Sequence, residues 1–198
     1  MCPDVGLVGQ YLGMFTELVA QECMTGKLSP PPTATFVSML MGNDDERVLL
    51  ATDAGYGFVA KLSDLHSKNR SGKTLLSVPE KANVLPPCMV RDINSDLLIA
   101  ISNEGRLLVF ALSELPELAK GKGNKIMNIP SARLQAREEY LASVAVVSKN
   151  QQLLVYSGKR HTVLKGNDFD EYRGERGRRG NKLPRGFQSV DRIEVTDR

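Results

Sequence analysis

Leu49-Leu50-Ala51-Thr52-Asp53-Ala54-Gly55-Tyr56-Gly57-Phe58-Val59 is an apolar run, a turn ending in glycine and a second short run. The pattern returns at Leu98-Ile99-Ala100-Ile101-Ser102-Asn103-Glu104-Gly105-Arg106-Leu107-Leu108-Val109. It returns again at Leu153-Leu154-Val155-Tyr156-Ser157-Gly158-Lys159-Arg160-His161-Thr162-Val163. Gly55, Gly105 and Gly158 stand 50 and 53 residues apart. A repeat of that length means stacked or radially arranged units rather than one irregular core. The two runs around each turn read as a hairpin, with glycine where a positive φ is needed.

Each unit extends beyond its hairpin. Ser63-Asp64-Leu65, Ser113-Glu114-Leu115 and Asn167-Asp168-Phe169 follow the second strand, each opening on a residue able to cap a short helical turn. A basic, glycine-containing segment comes next: Arg70-Ser71-Gly72-Lys73, then Lys120-Gly121-Lys122-Gly123-Asn124-Lys125, then residues 174–182. Val78-Pro79, Ile129-Pro130 and Leu183-Pro184 then mark a strand stopped by proline, and Gly26-Lys27-Leu28-Ser29-Pro30 is a fourth copy of this end. Further strands are expected at residues 36–41, 88–91 and 141–148 before the hairpins and at 189–195. No long amphipathic helix falls after residue 25. Three or four strands per unit predict an all-β, propeller-like fold of antiparallel four-stranded blades, partial or open, with about three to four blades. A β-solenoid is the alternative, although its repeats are usually shorter. Residues 1–24 carry no repeat element. Leu12, Phe15, Leu18 and Val19 there are spaced for one short helix.

The chain has 198 residues, is 41% hydrophobic and lacks tryptophan, which suits many small strands better than one large apolar pocket. Its net charge of +3 is concentrated. Residues 158–187 hold nine Lys or Arg against four acids, a local excess of five. A polyanion is the natural partner of such a segment. Cys2, Cys23 and Cys88 are odd in number and lack metal spacing, so they read as free thiols in a reducing compartment. With no apolar run of about 18 residues and no signal-peptide layout, the expected location is the cytoplasm.

Other motifs have simpler explanations. Ser71-Gly72-Lys73-Thr74 ends like a phosphate-binding loop, but position 67 is serine where that motif needs glycine. Gly55-Tyr56-Gly57 lies within a hairpin, with no βαβ unit around it. His66 and His161 have no neighbouring nucleophile, Asp44-Asp45-Glu46 is a turn cluster, and nothing activates Tyr140 or Tyr156. Neither a catalytic set nor a cofactor is expected. The recurrent basic segments are different. Glycine permits close backbone approach to a phosphate, and adjacent cations supply charge. The candidate nucleic-acid ligands are Arg70, Lys73, Arg106, Lys120, Lys122, Lys125, Lys159, Arg160, Arg176, Arg178, Arg179 and Lys182. At equivalent points around a rim they would track a curved DNA backbone without reading bases. The competing reading is a propeller that docks an acidic protein through the same rim.

Residues 25–192 resemble the C-terminal domain found in the A chain of bacterial topoisomerase IV, a type IIA topoisomerase; the related domain of DNA gyrase is more distant. The resemblance rests on residues 53–58, 69–73, 120–126, 129–132 and 174–180. It implies a β-pinwheel over residues 25–198, whose neighbouring blades exchange an outer strand. It implies a domain that bends double-stranded DNA and presents it to a separate cleavage core for ATP-dependent strand passage. The catalytic tyrosine and ATP site would lie elsewhere in the assembly. Implied partners are the cleavage core of the A chain, the B chain of the same enzyme, and chromosome-organising proteins. The implied location is the nucleoid, with the parent enzyme peripheral to the inner membrane. The basic segments depart from the sharply defined glycine box of gyrase, which implies bending rather than strong chiral wrapping. The family usually has about five or six blades, against three repeats plus an edge here.

Overall fold

The computed structural model describes residues 37–38, 40–67 and 73–197. Residues 1–24, the 26–30 copy and Arg70 lie outside the described residues. Three antiparallel sheets are stacked in sequence order, with little helix between them.

In the first sheet, β1 (Arg47–Thr52) and β2 (Tyr56–Lys61) form the hairpin. After the short helix α1 (Leu62–Leu65), β3 (Cys88–Val90) pairs with β1. In the second sheet, β4 (Leu97–Ser102) and β5 (Arg106–Ala111) pair at the bounds the sequence predicts. Strand β6 (Asn124–Lys125) follows a 3-10 turn (Leu112–Glu114), and α2 (Ser131–Gln135) precedes β7 (Leu141–Val147). Strand β7 pairs with β4. The third sheet joins β8 (Gln151–Ser157), β9 (Arg160–Lys165) and, after a 3-10 stretch (Gly166–Tyr172) and β10 (Asn181–Lys182), the last strand β11 (Arg192–Asp197).

Two short strands leave their own unit. β6 follows the second hairpin but pairs with β2 of the first sheet. β10 follows the third hairpin but pairs with β5 of the second. The strand orders are thus β3-β1-β2-β6, β10-β5-β4-β7 and β11-β8-β9. This strand exchange makes the all-β fold a β-pinwheel.

Burial follows the stacking. Strands β4 and β5 read as continuous apolar runs because the second blade is covered on both faces. Leu98, Ala100, Leu108 and Phe110 pack toward the first blade, and Ile99, Ile101, Leu107 and Val109 toward the third. In β8, Leu153 and Val155 face inward while Gln152, Leu154 and Tyr156 are only half-covered. The third blade therefore has one wet face.

Several local expectations need correction. The described residues of 36–41 are irregular rather than strand, with Leu40 buried and Val37 and Met41 about half-exposed. Ser63 and Ser113 lie inside their helical turns. The cap positions are Lys61 and Ala111, and neither makes a side-chain cap bond. The last strand begins at Arg192 rather than 189. Gly158 is not the counterpart of Gly55 and Gly105. Thr52 pairs with Tyr56 across a three-residue loop, whereas Ser157 pairs with Arg160 across Gly158-Lys159 alone. Gly158, at φ +57°, opens that two-residue turn, as a type II′ turn requires.

Candidate nucleic-acid interface

The exchanged strands explain the basic glycine segments. Gly123-Asn124-Lys125-Ile126 and Gly180-Asn181-Lys182-Leu183 are nearly the same tetrapeptide. Both make the same contacts. The Ile126 amide donates to the Gly55 carbonyl at 2.7 Å, and the Leu183 amide to the Gly105 carbonyl at 2.8 Å. Ile126 and Leu183 are buried. Gly123 and Gly180 have φ of +74° and +73°. A methyl group at Gly123 would collide with the Gly57 carbonyl, and one at Gly180 with the Leu107 carbonyl. These glycines serve strand exchange: they face protein backbone rather than a phosphate.

The exchange places cations in register. Tyr56 pairs with Lys125 in the first blade and Arg106 with Lys182 in the second. Both Tyr56 and Arg106 immediately follow the hairpin loop, and Arg160 holds that position in the third blade. Lys122 Nζ sits 3.9 Å and Lys125 Nζ 5.6 Å from the Tyr56 ring centroid, so the ring gathers two ammonium groups. Arg106 Nη1 donates to the Gly180 carbonyl at 3.4 Å. Arg160 Nη1 lies beside Gly186, in the loop that follows β10.

Residues 174–182 tie the first two blades together. Arg176 Nη1 donates to the Lys125 carbonyl at 2.9 Å, the Gly177 amide to Ile126 at 2.9 Å, and the Asn128 amide to Arg178 at 3.0 Å. The row therefore runs from Lys122 and Lys125 through Arg176 to Arg106 and Lys182, and on to Arg160.

The candidate cations divide by charge partner. Arg178 is paired with Glu175 at 2.9 Å, and both are exposed. Arg179 is a structural residue. Its guanidinium reaches Glu139 Oε1 at 2.6 Å, and the Glu139 side chain is fully buried. Arg133 bonds the same carboxylate at 2.8 Å and also bonds Glu104. That hydrogen bond from Arg133 holds the Glu104 carboxyl below its ordinary value. Glu139 is thus a buried anion held by two cations, a geometry that satisfies it and fixes the loop before β7. By contrast, Lys73, Arg106, Lys120, Lys122, Lys125, Lys159, Arg160, Arg176 and Lys182 have no carboxylate partner among the described residues. Lys73, Lys120 and Lys159 are exposed at the segment ends and turn, apart from the paired register positions.

Sequence reasoning missed Tyr56 as a platform for Lys122 and the Arg133–Glu139–Arg179 cluster. The signal for Tyr56 was its place directly after the loop glycine, where Arg106 also stands. Nothing in the spacing marks Glu139, which is 40 residues from Arg179.

The other candidate chemistry is structural. His66 Nε2 sits 2.7 Å from Asp44 Oδ1. Burial pushes the Cys88 thiol up to about 11. The hydroxyl of Tyr156 donates to Glu194, which raises its pKa. An open cleft of about 160 Å³ lined by Ser95, Ser148, Lys149, Phe169 and Arg173 is smaller than a typical small-molecule site.

Comparison with known proteins gives a consistent result. The family model described as "DNA gyrase C-terminal domain, beta-propeller" matches residues 46–85 and 96–148. The chain is 53% identical over 174 residues to the A chain of DNA topoisomerase 4 from Pseudomonas aeruginosa, and 49% identical to that from Escherichia coli K12. Each alignment covers 88% of this chain and 23% of the relative, so the chain spans about a quarter of those proteins. The solved structure of the E. coli ParC C-terminal domain superposes with a TM-score of 0.81 at 47% identity, covering 88% of this chain and 70% of that one. A DNA gyrase A C-terminal domain structure shares the fold at TM-score 0.58 and 19% identity, covering 75% of this chain and 48% of that one. With the exchanged strands, the stacked blades and this degree of identity, the chain belongs to the family of C-terminal domains of the topoisomerase IV A chain.

Proposed function

We propose that this domain binds double-stranded DNA along its rim through phosphate contacts and bends it. On this reading its role is non-catalytic and needs no cofactor of its own. The observation that carries the reading is the register. Tyr56 with Lys125, Arg106 with Lys182, and Arg160 occupy one equivalent position in three successive blades. Cations repeated at one position of a stacked fold follow a curved line, and a duplex following that line gains contacts that offset its elastic cost. Its members are long cations with no ion-pair partner among the described residues, repeated at one position per blade, which favours backbone contact. Arg178 and Arg179 contribute less, because Glu175 and Glu139 already neutralise them.

Within a parent topoisomerase IV, the domain would deliver DNA segments to the cleavage core of the A chain, which acts with the ATP-hydrolysing B chain in decatenation and supercoil relaxation. In that role it would work in the cytoplasm, on the nucleoid, within reach of chromosome-organising proteins. Affinity for a duplex measured against salt tests the binding. Roughly 5–8 phosphate contacts give a slope of about −4 to −7 in log affinity against log salt. A slope near zero, or equal affinity for an acidic protein surface, contradicts the reading.

A further inference from the structure

Residues 174–182 reach from the first blade to the second and are fixed at both ends. At one end the Arg176 side chain donates to the Lys125 carbonyl and the Gly177 amide to the Ile126 carbonyl, on the strand exchanged onto the first blade. At the other end Asn181 and Lys182 pair with Leu107 and Arg106 of β5. Only Arg178, Arg179 and Gly180 lie between. How this short link is held therefore sets the spacing between the cations of the first blade and those of the second.

Arg179 holds the link from within. Its guanidinium reaches Glu139, which is at 0% exposure, and Arg133 of α2 bonds the same carboxylate at 2.8 Å. Glu139 sits in a loop that is itself docked on both hairpins. The Leu141 amide donates to the Asp53 carbonyl of the first hairpin at 2.8 Å. The Tyr140 amide donates to Asn103 Oδ1 of the second at 2.9 Å, and Asn103 Nδ2 donates to the Glu138 carbonyl at 2.9 Å. Arg133 also bonds Glu104, two residues before Arg106. One buried carboxylate thus joins the exchange segment, the loop before β7 and the hairpin loop of the second blade.

The cluster is not itself a phosphate site. Its two arginines face three carboxylates, Glu104, Glu138 and Glu139, which leaves no positive charge to attract a polyanion. What it supplies is rigidity. A buried carboxylate bonded through both oxygens cannot shift without leaving a charge unpaired, so it resists movement of the link. A bent duplex pushes back on whatever bends it, and a junction that yields lets it straighten.

We propose that Glu139 is a positioning residue for DNA bending. It touches no DNA. By holding Arg179 it keeps the cations of the first two blades on the curve that the duplex must follow. The proposal rests on the rim reading above.

Energy transfer across a short end-labelled duplex, read beside affinity and its salt slope, tests this. Glu139→Gln keeps the shape and removes the charge, and both arginines are partly exposed and can turn to water. Its affinity stays within about threefold of wild type, because the row is intact. Its salt slope stays within about one of the wild-type slope. The transfer change falls to about half or less, because the loosened junction lets the duplex straighten. Glu175→Gln makes the same charge change at an exposed pair on the same segment, and it bends DNA as the wild type does. Arg179→Lys keeps the charge with a shorter reach and also loses part of the bend, so it decides the matter where Glu139→Gln does not fold. A Glu139→Gln or Arg179→Lys variant that melts at lower temperature yet bends DNA as sharply as wild type overturns the proposal, because Glu139 is then structural only. An equal loss of bend in Glu175→Gln overturns it too, because charge rather than geometry is then the cause. A wild type that binds duplex without bending it contradicts the rim reading itself, and the proposal falls with it.

Discussion

Gly180→Ala tests the role assigned to the glycine of the basic segments. At φ +73° an alanine is strained by about 1 kcal/mol. Its methyl group also meets the Leu107 carbonyl and, at 3.1 Å, Leu108 Cβ. Backbone on a buried strand cannot yield, so β10 must move away. The movement breaks the Leu183-to-Gly105 hydrogen bond and the two-residue ladder to β5. At about 1 kcal/mol for each bond lost, the total is about 2–4 kcal/mol. Gly158→Ala is the control. Its φ is also positive, at +57°, but nothing lies within 4 Å of the added methyl, so its cost stays near 1 kcal/mol. Urea unfolding of both variants gives the comparison directly. The folded fraction of Gly180→Ala should keep most of its duplex affinity, because Lys182 alone of the row leaves its register position. Equal destabilisation of the two variants would refute the strand-exchange role. So would lost DNA affinity in a fully stable Gly180→Ala.

Arg179→Ala should cost about 3 kcal/mol in urea unfolding, because it leaves the buried Glu139 with only Arg133. Arg178→Ala, at an exposed pair, should stay within about 0.5 kcal/mol. The Cys88 thiol, pushed up to about 11, is almost entirely protonated at pH 8 and should escape alkylation by iodoacetamide until the protein is unfolded. Glu104, with its carboxyl held low by Arg133, stabilises the fold while ionised. Thermal stability should therefore decline as pH falls through and below the ordinary value of 4.5, and Arg133→Gln should reduce that dependence.

The parts of the fold written in contiguous residues were legible. Residues 97–101 and 107–111 are unbroken apolar runs around one loop, and their strands fold at 97–102 and 106–111 because both faces of their blade are covered. The destinations of β6 and β10 were not legible. A two-residue strand has no periodicity, and its partner lies some seventy residues earlier in the chain. The near-identity of residues 123–126 and 180–183 was the available signal, yet its glycines also suit a phosphate. Only the Gly57 and Leu107 carbonyls decide between the two roles. The same limit applies to charge. Residues 174–182 read as one basic run, but Arg176 turns to a backbone carbonyl, Arg178 to a neighbouring acid and Arg179 to a buried one. Each destination depends on tertiary partners. Gly158 shows the reverse error: similar letters aligned it with Gly105, while the register put it at the other end of a shorter turn.

The central claim is that one register position, repeated through three blades, sets a curved path for a duplex. Energy transfer between dyes on the two ends of a short duplex measures it most directly. Binding of the wild type should bring the ends closer. Neutralising Lys125, Arg106 and Arg160 together should abolish the change, while neutralising the exposed, acid-paired Arg178 should leave it in place. Binding with no change in transfer, or a bend that survives loss of the three register cations, would contradict the account.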